Sequence, residues 1–173
     1  MGRGIEIFTI LFVCTGNTCR SAMAAPLLEK LLQAEWGEEP VRKSFRILSA
    51  GVSAFTGAPA SKEAEEVLRG EELDLSRHRA QRLDKILLGQ ADLVLTMTSA
   101  HKDLLLKMYP EAKKKVYTLL EYGSGEKQGE IPDPFGQGIE VYQQCAATIK
   151  EALQAIIPKL KMYLDCKEEN QEK

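Results

Sequence analysis

An apolar run over residues 5–13 stops at Cys14, passes through Thr15-Gly16-Asn17-Thr18-Cys19-Arg20-Ser21, and is followed by residues 22–36, where apolar side chains recur at helical spacing. A buried-strand pattern, a turn and an amphipathic helix in direct succession form a strand-turn-helix unit. The alternation continues: residues 45–52 read as a second strand closing on Ser49-Ala50-Gly51, and residues 61–68 as a short helix beyond the Gly57-Ala58-Pro59 loop. Residues 74–79 are polar and turn-like, 83–88 weakly helical, and 91–96 a third strand. Ser99 is placed to cap a helix that runs to Met108 and stops before Pro110, because a residue preceding proline is driven out of helical conformation. Residues 116–119 supply a fourth strand, and 121–138 a loop rich in glycine and proline. From Ile139 onward, Tyr142, Cys145, Ala146, Ile149, Leu153 and Ile156 mark one face of a long closing helix, with a bend expected at Pro158. Strands alternating with helices require right-handed crossovers, so an α/β domain with a parallel sheet covered on both faces is expected. Ligands bind such sheets at the carboxyl ends of the strands, where Cys14 lies.

Composition narrows the partners. A chain of 173 residues without repeat or linker fits one domain over residues 1–165, followed by a charged, frayed tail over 166–173. The net charge is −2 and the one basic run is Lys113-Lys114-Lys115, which argues against nucleic acid as a partner. The longest apolar run is too short to span a bilayer and Met1-Gly2-Arg3-Gly4 does not begin a cleavable leader, so a cytoplasmic monomer without membrane attachment is expected. Cys14, Cys19, Cys145 and Cys166 suit a reducing compartment, and their spacing does not make a zinc site, so neither metal nor cofactor is expected.

The turn after the first strand carries the chemistry. The first N–H groups of a helix lack internal partners and point outward, so Thr15, Gly16, Asn17, Thr18, Cys19 and Arg20 read as a cradle for a phosphate-sized anion. A cysteine facing a helix N-terminus and a guanidinium has its pKa depressed, often to roughly 3.5–7.5, so Cys14 is expected as a thiolate nucleophile. Arg20 cannot deprotonate, and its planar fork matches two phosphate oxygens. In Pro132-Asp133-Pro134-Phe135 the two prolines stiffen the backbone around one carboxylate, and Phe135 is expected to shield Asp133 from solvent and favour its protonated form as a general acid. The bland alternative, a rigid surface turn, stays open on these residues alone.

Together these segments resemble the low-molecular-weight protein tyrosine phosphatase family over about residues 5–164. The Cys14–Ser21 loop, Ser49-Ala50-Gly51, Ser76-Arg77-His78-Arg79-Ala80, Ala91-Asp92-Leu93-Val94-Leu95-Thr96-Met97 and Asp133-Pro134-Phe135 occur in the family's order and spacing. The resemblance implies a single-domain three-layer sandwich on a four-stranded parallel sheet, flavodoxin-like and of phosphotyrosine protein phosphatase I type. It also implies metal-free hydrolysis in two steps: Cys14 attacks phosphorus while Asp133 protonates the leaving atom, then Asp133 activates water against the phosphocysteine. By the same resemblance Asn17 occupies a left-handed turn held by hydrogen bonds with His78 as a partner, Ser21 stabilises the departing thiolate, and Phe55 and Phe135 line the cleft entrance. Core packing is the alternative for Phe55. His101 has no matching role and is read as exposed. Ala22 stands where the family commonly has proline, and Pro26 lies further along, so a shifted helix start and a kink are expected.

Thr18 refines the expected substrate. Tyrosine-directed members carry an aliphatic residue there, whereas the bacterial protein arginine phosphatase branch carries Cys-Thr-Gly-Asn-Thr-Cys-Arg-Ser, the pattern of residues 14–21. A hydroxyl in place of an apolar contact favours a polar guanidinium over a phenyl ring. Phosphoarginine proteins are therefore the expected substrates, with phosphotyrosine proteins the alternative and packing the other reading of Thr18. Asp133 can also pair with the substrate guanidinium. Cys19, inside the loop, is a candidate redox partner able to form a reversible disulfide with Cys14. Two further functions share the cradle: a thioredoxin-coupled arsenate reductase, which lacks its additional cysteines here, and a cysteine phosphocarrier, which has no need for Asp133.

Overall fold

In β1 (Phe8–Cys14) every residue after Phe8 is buried, and its side chains divide between two apolar layers. Ile10, Phe12 and Cys14 join the layer beneath α1 (Arg20–Trp36), while Leu11 and Val13 join the layer on the opposite face. A strand buried on both faces reads as a continuous apolar run, which is why the pattern lacked alternation. The computed structural model describes residues 7–125 and 129–169, with side chains to Asp165. The remaining elements are α2 (Glu38–Ser44), β2 (Phe45–Gly51), α3 (Lys62–Gly70), α4 (Lys85–Gln90), β3 (Leu93–Thr96), α5 (Ser99–Met108), β4 (Val116–Thr118), α6 (Leu119–Ser124) and α7 (Ile139–Glu169), with a 3-10 turn at Pro110–Lys114. Positions 5 and 6 of the expected first strand lie outside the described residues.

All strand pairs are parallel, in the order β2-β1-β3-β4, as expected for a flavodoxin-like sheet. The order reverses between β1 and β3, so the segments following these two strands diverge and leave a crevice at their carboxyl ends. Cys14 ends β1 at that crevice, and the first turn of α5 follows β3 beside it.

Several boundaries differ from the sequence reading for identifiable reasons. Helix α1 begins at Arg20 rather than at position 22 and runs unbroken across Pro26. Thr98, not Ser99, caps α5: its Oγ1 accepts the His101 N–H at 3.2 Å. Helix α6 occupies the start of the stretch expected as loop, because Thr118 and Glu121 form a reciprocal capping box. Helix α2 was missed because its seven residues are too few to establish a helical period. Helix α7 continues across Pro158 and past Asp165 to Glu169, beyond the expected domain edge, and positions 170–173 of the tail lie outside the described residues.

Candidate active site

The loop between β1 and α1 is held from outside by its carbonyls. Those of Cys14, Thr15 and Thr18 accept N–H groups of Val52, Ser53 and Ser61 at 2.9, 3.0 and 2.9 Å, and that of Asn17 accepts His78 Nε2–H at 2.6 Å. No cis peptide occurs among the described residues, and in a trans peptide the N–H points opposite its C=O. Anchoring these four carbonyls outward therefore turns the N–H groups of Thr15, Gly16, Thr18 and Cys19 toward the loop's centre, an anion-binding nest continuous with the N-terminus of α1. No acidic residue occupies the first turn of α1 to compete for those donors.

Asn17 supplies the left-handed corner, with φ of 56°, as expected. The surroundings also fix its amide: the backbone N–H of Gln81 can only donate, so it sets Asn17 Oδ1 at 3.0 Å, leaving Nδ2 to donate to Ser21 Oγ and Ser49 Oγ, both at 2.9 Å. His78 thus reaches Asn17 through its backbone carbonyl, and the side chain is held by other groups. Ser21 Oγ accepts from Asn17, and its single proton lies between two acceptors, Cys14 Sγ at 2.9 Å and the Ala50 carbonyl at 3.4 Å, while the Asn17 N–H reaches the same sulfur at 3.3 Å. The Asn17 amide can only donate to Cys14 Sγ, and its other neighbour is a neutral hydroxyl, so no side-chain base is bonded to the sulfur.

Gly51 makes the close approach possible. A Cβ there would stand 2.4 Å from the Thr15 carbonyl oxygen and 3.0 Å from Asn17 N, so any side chain must push the cradle away. Gly51→Ala is expected to lower kcat/KM by about a hundredfold through displacement of the loop and to cost about 1–3 kcal/mol of stability. Steady-state kinetics beside urea unfolding check both.

Arg20 and Asp133 complete the arrangement. One Arg20 terminal nitrogen bonds Asp133 Oδ2 at 3.0 Å, the other donates to the Ile131 carbonyl at 3.2 Å, and the buried Nε has no partner among the described residues. An orphaned guanidinium N–H beside a ring of amides fits an oxyanion. The Asp133 side chain remains 52% exposed and Phe135 72% exposed, so Phe135 does not shield the acid as expected. What holds the carboxylate is the guanidinium, together with the Phe135 backbone N–H on Oδ1 at 3.2 Å. Cys14, Thr15, Gly16, Thr18, Cys19, Arg20, Asp133 and Phe135 line a cavity of about 210 Å³. Phe55, 83% exposed, is neither in that lining nor in the core.

The other cysteines have distinct surroundings. Cys19 is a free thiol whose Sγ lies 3.1 Å from the buried Tyr142 hydroxyl and 3.6 Å from Ser61 Oγ. Burial raises the Tyr142 hydroxyl above its ordinary pKa. Burial likewise pushes the Cys145 thiol up to about 12, and its Sγ donates at 3.6 Å to the Pro132 carbonyl, which agrees with a structural role.

His101 corrects the sequence reading outright: it is buried, 7% exposed, with Nε2 2.8 Å from Thr15 Oγ1 and Nδ1 2.9 Å from Thr98 Oγ1. Its place in the first turn after β3, at the same sheet edge as Cys14, was the available signal. Burial, reinforced by Arg20 and opposed by Asp133 and Glu130, lowers its pKa from 6.5 to about 4. The unfolded chain then binds a proton that the native protein refuses, so His101 is expected to make stability fall as pH drops from 6.5 toward 4. Urea midpoints across that range, compared with His101→Gln, check it: the variant should show the shallower slope.

With this geometry established, the comparisons place the chain. The profile described as "Low molecular weight phosphotyrosine protein phosphatase" matches residues 9–166. A protein-arginine-phosphatase of Geobacillus stearothermophilus is 41% identical over 88% of this chain and 96% of its own length. The low molecular weight protein-tyrosine-phosphatase PtpB of Staphylococcus epidermidis is 39% identical over 85% of this chain and 95% of its own. A solved YwlE arginine phosphatase variant with a phosphorylated active-site serine is 36% identical and superposes with a TM-score of 0.82, covering 89% of this chain and 96% of that one. The match over residues 9–166, with Cys14 at the end of β1 and Arg20 beside the amide cradle, makes this protein a member of the low molecular weight phosphotyrosine protein phosphatase family.

Proposed function

We propose that this protein hydrolyses phosphoarginine in proteins through a phosphocysteine on Cys14. The observation that carries the reading is the cavity in which Cys14, Thr18, Arg20 and Asp133 meet. In the first step Cys14 Sγ attacks phosphorus, the P–N bond breaks, and the departing guanidine nitrogen takes the Asp133 proton. In the second, water gives a proton to Asp133 as its oxygen attacks phosphorus, and the P–S bond breaks with Ser21 and the Asn17 N–H receiving the thiolate. The guanidinium of Arg20 and the amide nest hold the equatorial oxygens through both displacements. Thr18 presents a hydroxyl where a phenyl ring would want an apolar wall, and Asp133 offers a charge-assisted bond to a substrate guanidinium.

Relatives named for arginine and for tyrosine phosphatase activity both match, so the deciding measurement is the ratio of kcat/KM for phosphoarginine and phosphotyrosine peptides. Phosphoarginine is expected to win. Thr18→Ile is expected to shift that ratio toward phosphotyrosine by about 10- to 100-fold; an unchanged ratio would remove Thr18 as the discriminator. The proposal extends to a monomer acting in the reducing cytoplasm, where cysteines such as Cys14, Cys19 and Cys145 stay as thiols. Reversible bridging of Cys14 and Cys19 belongs to the same proposal and requires Cys19 to leave Tyr142.

A further inference from the structure

The geometry points to His101 as a positioning residue that turns the Thr15 hydroxyl proton toward the phosphoryl oxygens; the inference rests on the phosphatase reading above. Thr15 sits next to the nucleophile and lines the cavity with Cys14, Arg20 and Asp133. Its Oγ1 has one protein partner among the described residues, His101 Nε2 at 2.8 Å. Which of the two carries the proton is decided one step back, at Thr98.

Thr98 Oγ1 accepts the backbone N–H of His101 at 3.2 Å as the cap of α5, and its other partner is His101 Nδ1 at 2.9 Å. Accepting from both the amide and the ring would leave the Thr98 hydroxyl proton without a partner among the described residues, whereas pointing that proton at Nδ1 uses the donor and an acceptor site together. A neutral imidazole accepting at Nδ1 carries its proton on Nε2 and donates it to Thr15. Thr15 Oγ1 then has its own proton left over, with the cavity on its open side. The cap of one helix thus sets a tautomer, the tautomer sets a hydroxyl, and the hydroxyl becomes a side-chain donor to the anion.

A parallel chain of partners runs on the opposite side of the loop, where the Gln81 N–H orients Asn17, Asn17 donates to Ser21, and Ser21 Oγ stands 2.9 Å from Cys14 Sγ and 3.4 Å from the Ala50 carbonyl. In the Thr98 arm a backbone N–H fixes a proton's direction two hydrogen bonds away. One arm serves the sulfur and the other the phosphoryl group. A buried network of this kind is effective when its members are satisfied, and the Thr15 proton left facing the cavity is the one awaiting an anion.

A double-mutant cycle tests the assignment, using Thr15→Val, His101→Leu and the double variant with phosphoarginine and phosphotyrosine peptides. Each single change is expected to lower kcat/KM by about 100- to 1,000-fold, the scale for losing one donor to a reacting anion. In the Thr15→Val background, His101→Leu should then add little. Additive losses would overturn the inference, because a His101 that only packs the fold would cost activity with or without Thr15. The 15N spectrum of the wild-type imidazole at pH 7 gives a second readout that does not depend on any variant folding. An Nε2–H tautomer supports the relay and an Nδ1–H tautomer ends it. Wild-type protein inactive on both peptides would instead bring down the phosphatase reading beneath it.

Discussion

Cys14→Ser protein is expected to turn over at least about ten-thousandfold more slowly than wild type, the scale for removing a covalent nucleophile. The reason lies in what touches position 14. Its partners among the described residues are the Asn17 N–H, which can only donate, and the neutral Ser21 hydroxyl, so no side-chain base is bonded to the atom at that position. A thiolate needs no base, whereas a serine hydroxyl does. The cradle itself is built from backbone groups and Arg20, so inorganic phosphate should still bind, measurable by its 31P line width or by a thermal shift. The one chemical event left to the variant is slow phosphorylation of the introduced hydroxyl; a related arginine phosphatase variant has been solved with a phosphorylated active-site serine. Mass spectrometry after incubation with phosphoarginine peptide would detect the added phosphoryl group. Turnover within about a hundredfold of wild type would exclude Cys14 as the nucleophile.

Asp133→Asn is expected to cost about 10²–10⁴ in kcat, the range for losing a general acid-base group. The penalty should depend on the leaving group. A guanidine nitrogen departing from phosphorus requires a proton, whereas an aryl phosphate with an acidic phenol leaves with little assistance. The variant should therefore lose most on phosphoarginine peptide and least on an activated aryl phosphate, as measured in single-turnover experiments. Equal losses on both would mean that Asp133 acts chiefly by holding Arg20, to which it is paired at 3.0 Å. The same variant separates a hydrolase from a phosphocarrier, since exchange of phosphate on Cys14 without hydrolysis has no need for the carboxylate.

Much of the fold and the centre of the site were legible in the chain because the information is local. Residues 14–21 are consecutive, and their order of strand, small turn residues and helix is enough to call for an anion cradle. Asn17 at a positive φ follows from its tolerance of the left-handed region. For His101 the deciding partner was distant in sequence. It was read as exposed for want of a matching role, and Thr15, 86 positions away, makes it part of the site together with Thr98 at the start of its own helix. Phe135 was expected to dry out Asp133 because the two are adjacent but one, yet the ring faces solvent and Arg20 holds the acid. Helix α6 was lost in a stretch read by its glycines, although Thr118 and Glu121 spelled out its cap.

By itself the amino-acid sequence determined the alternating architecture, the position of Cys14 at a strand's carboxyl end and an arginine six residues on, while the meeting of Asp133 with both waited for the fold. Period, propensity and turn chemistry act over a few residues, so they survive in one dimension. Only the tertiary structure decided which partners meet each hydroxyl and ring nitrogen of the site. Gln81 reaching Asn17, Gly51 clearing room for Thr15, and His101 reaching Thr15 are contacts between segments that the parallel crossovers bring to the carboxyl end of the sheet. A hydrogen bond's direction depends on what its partner already accepts or donates, and that is a property of the assembled network.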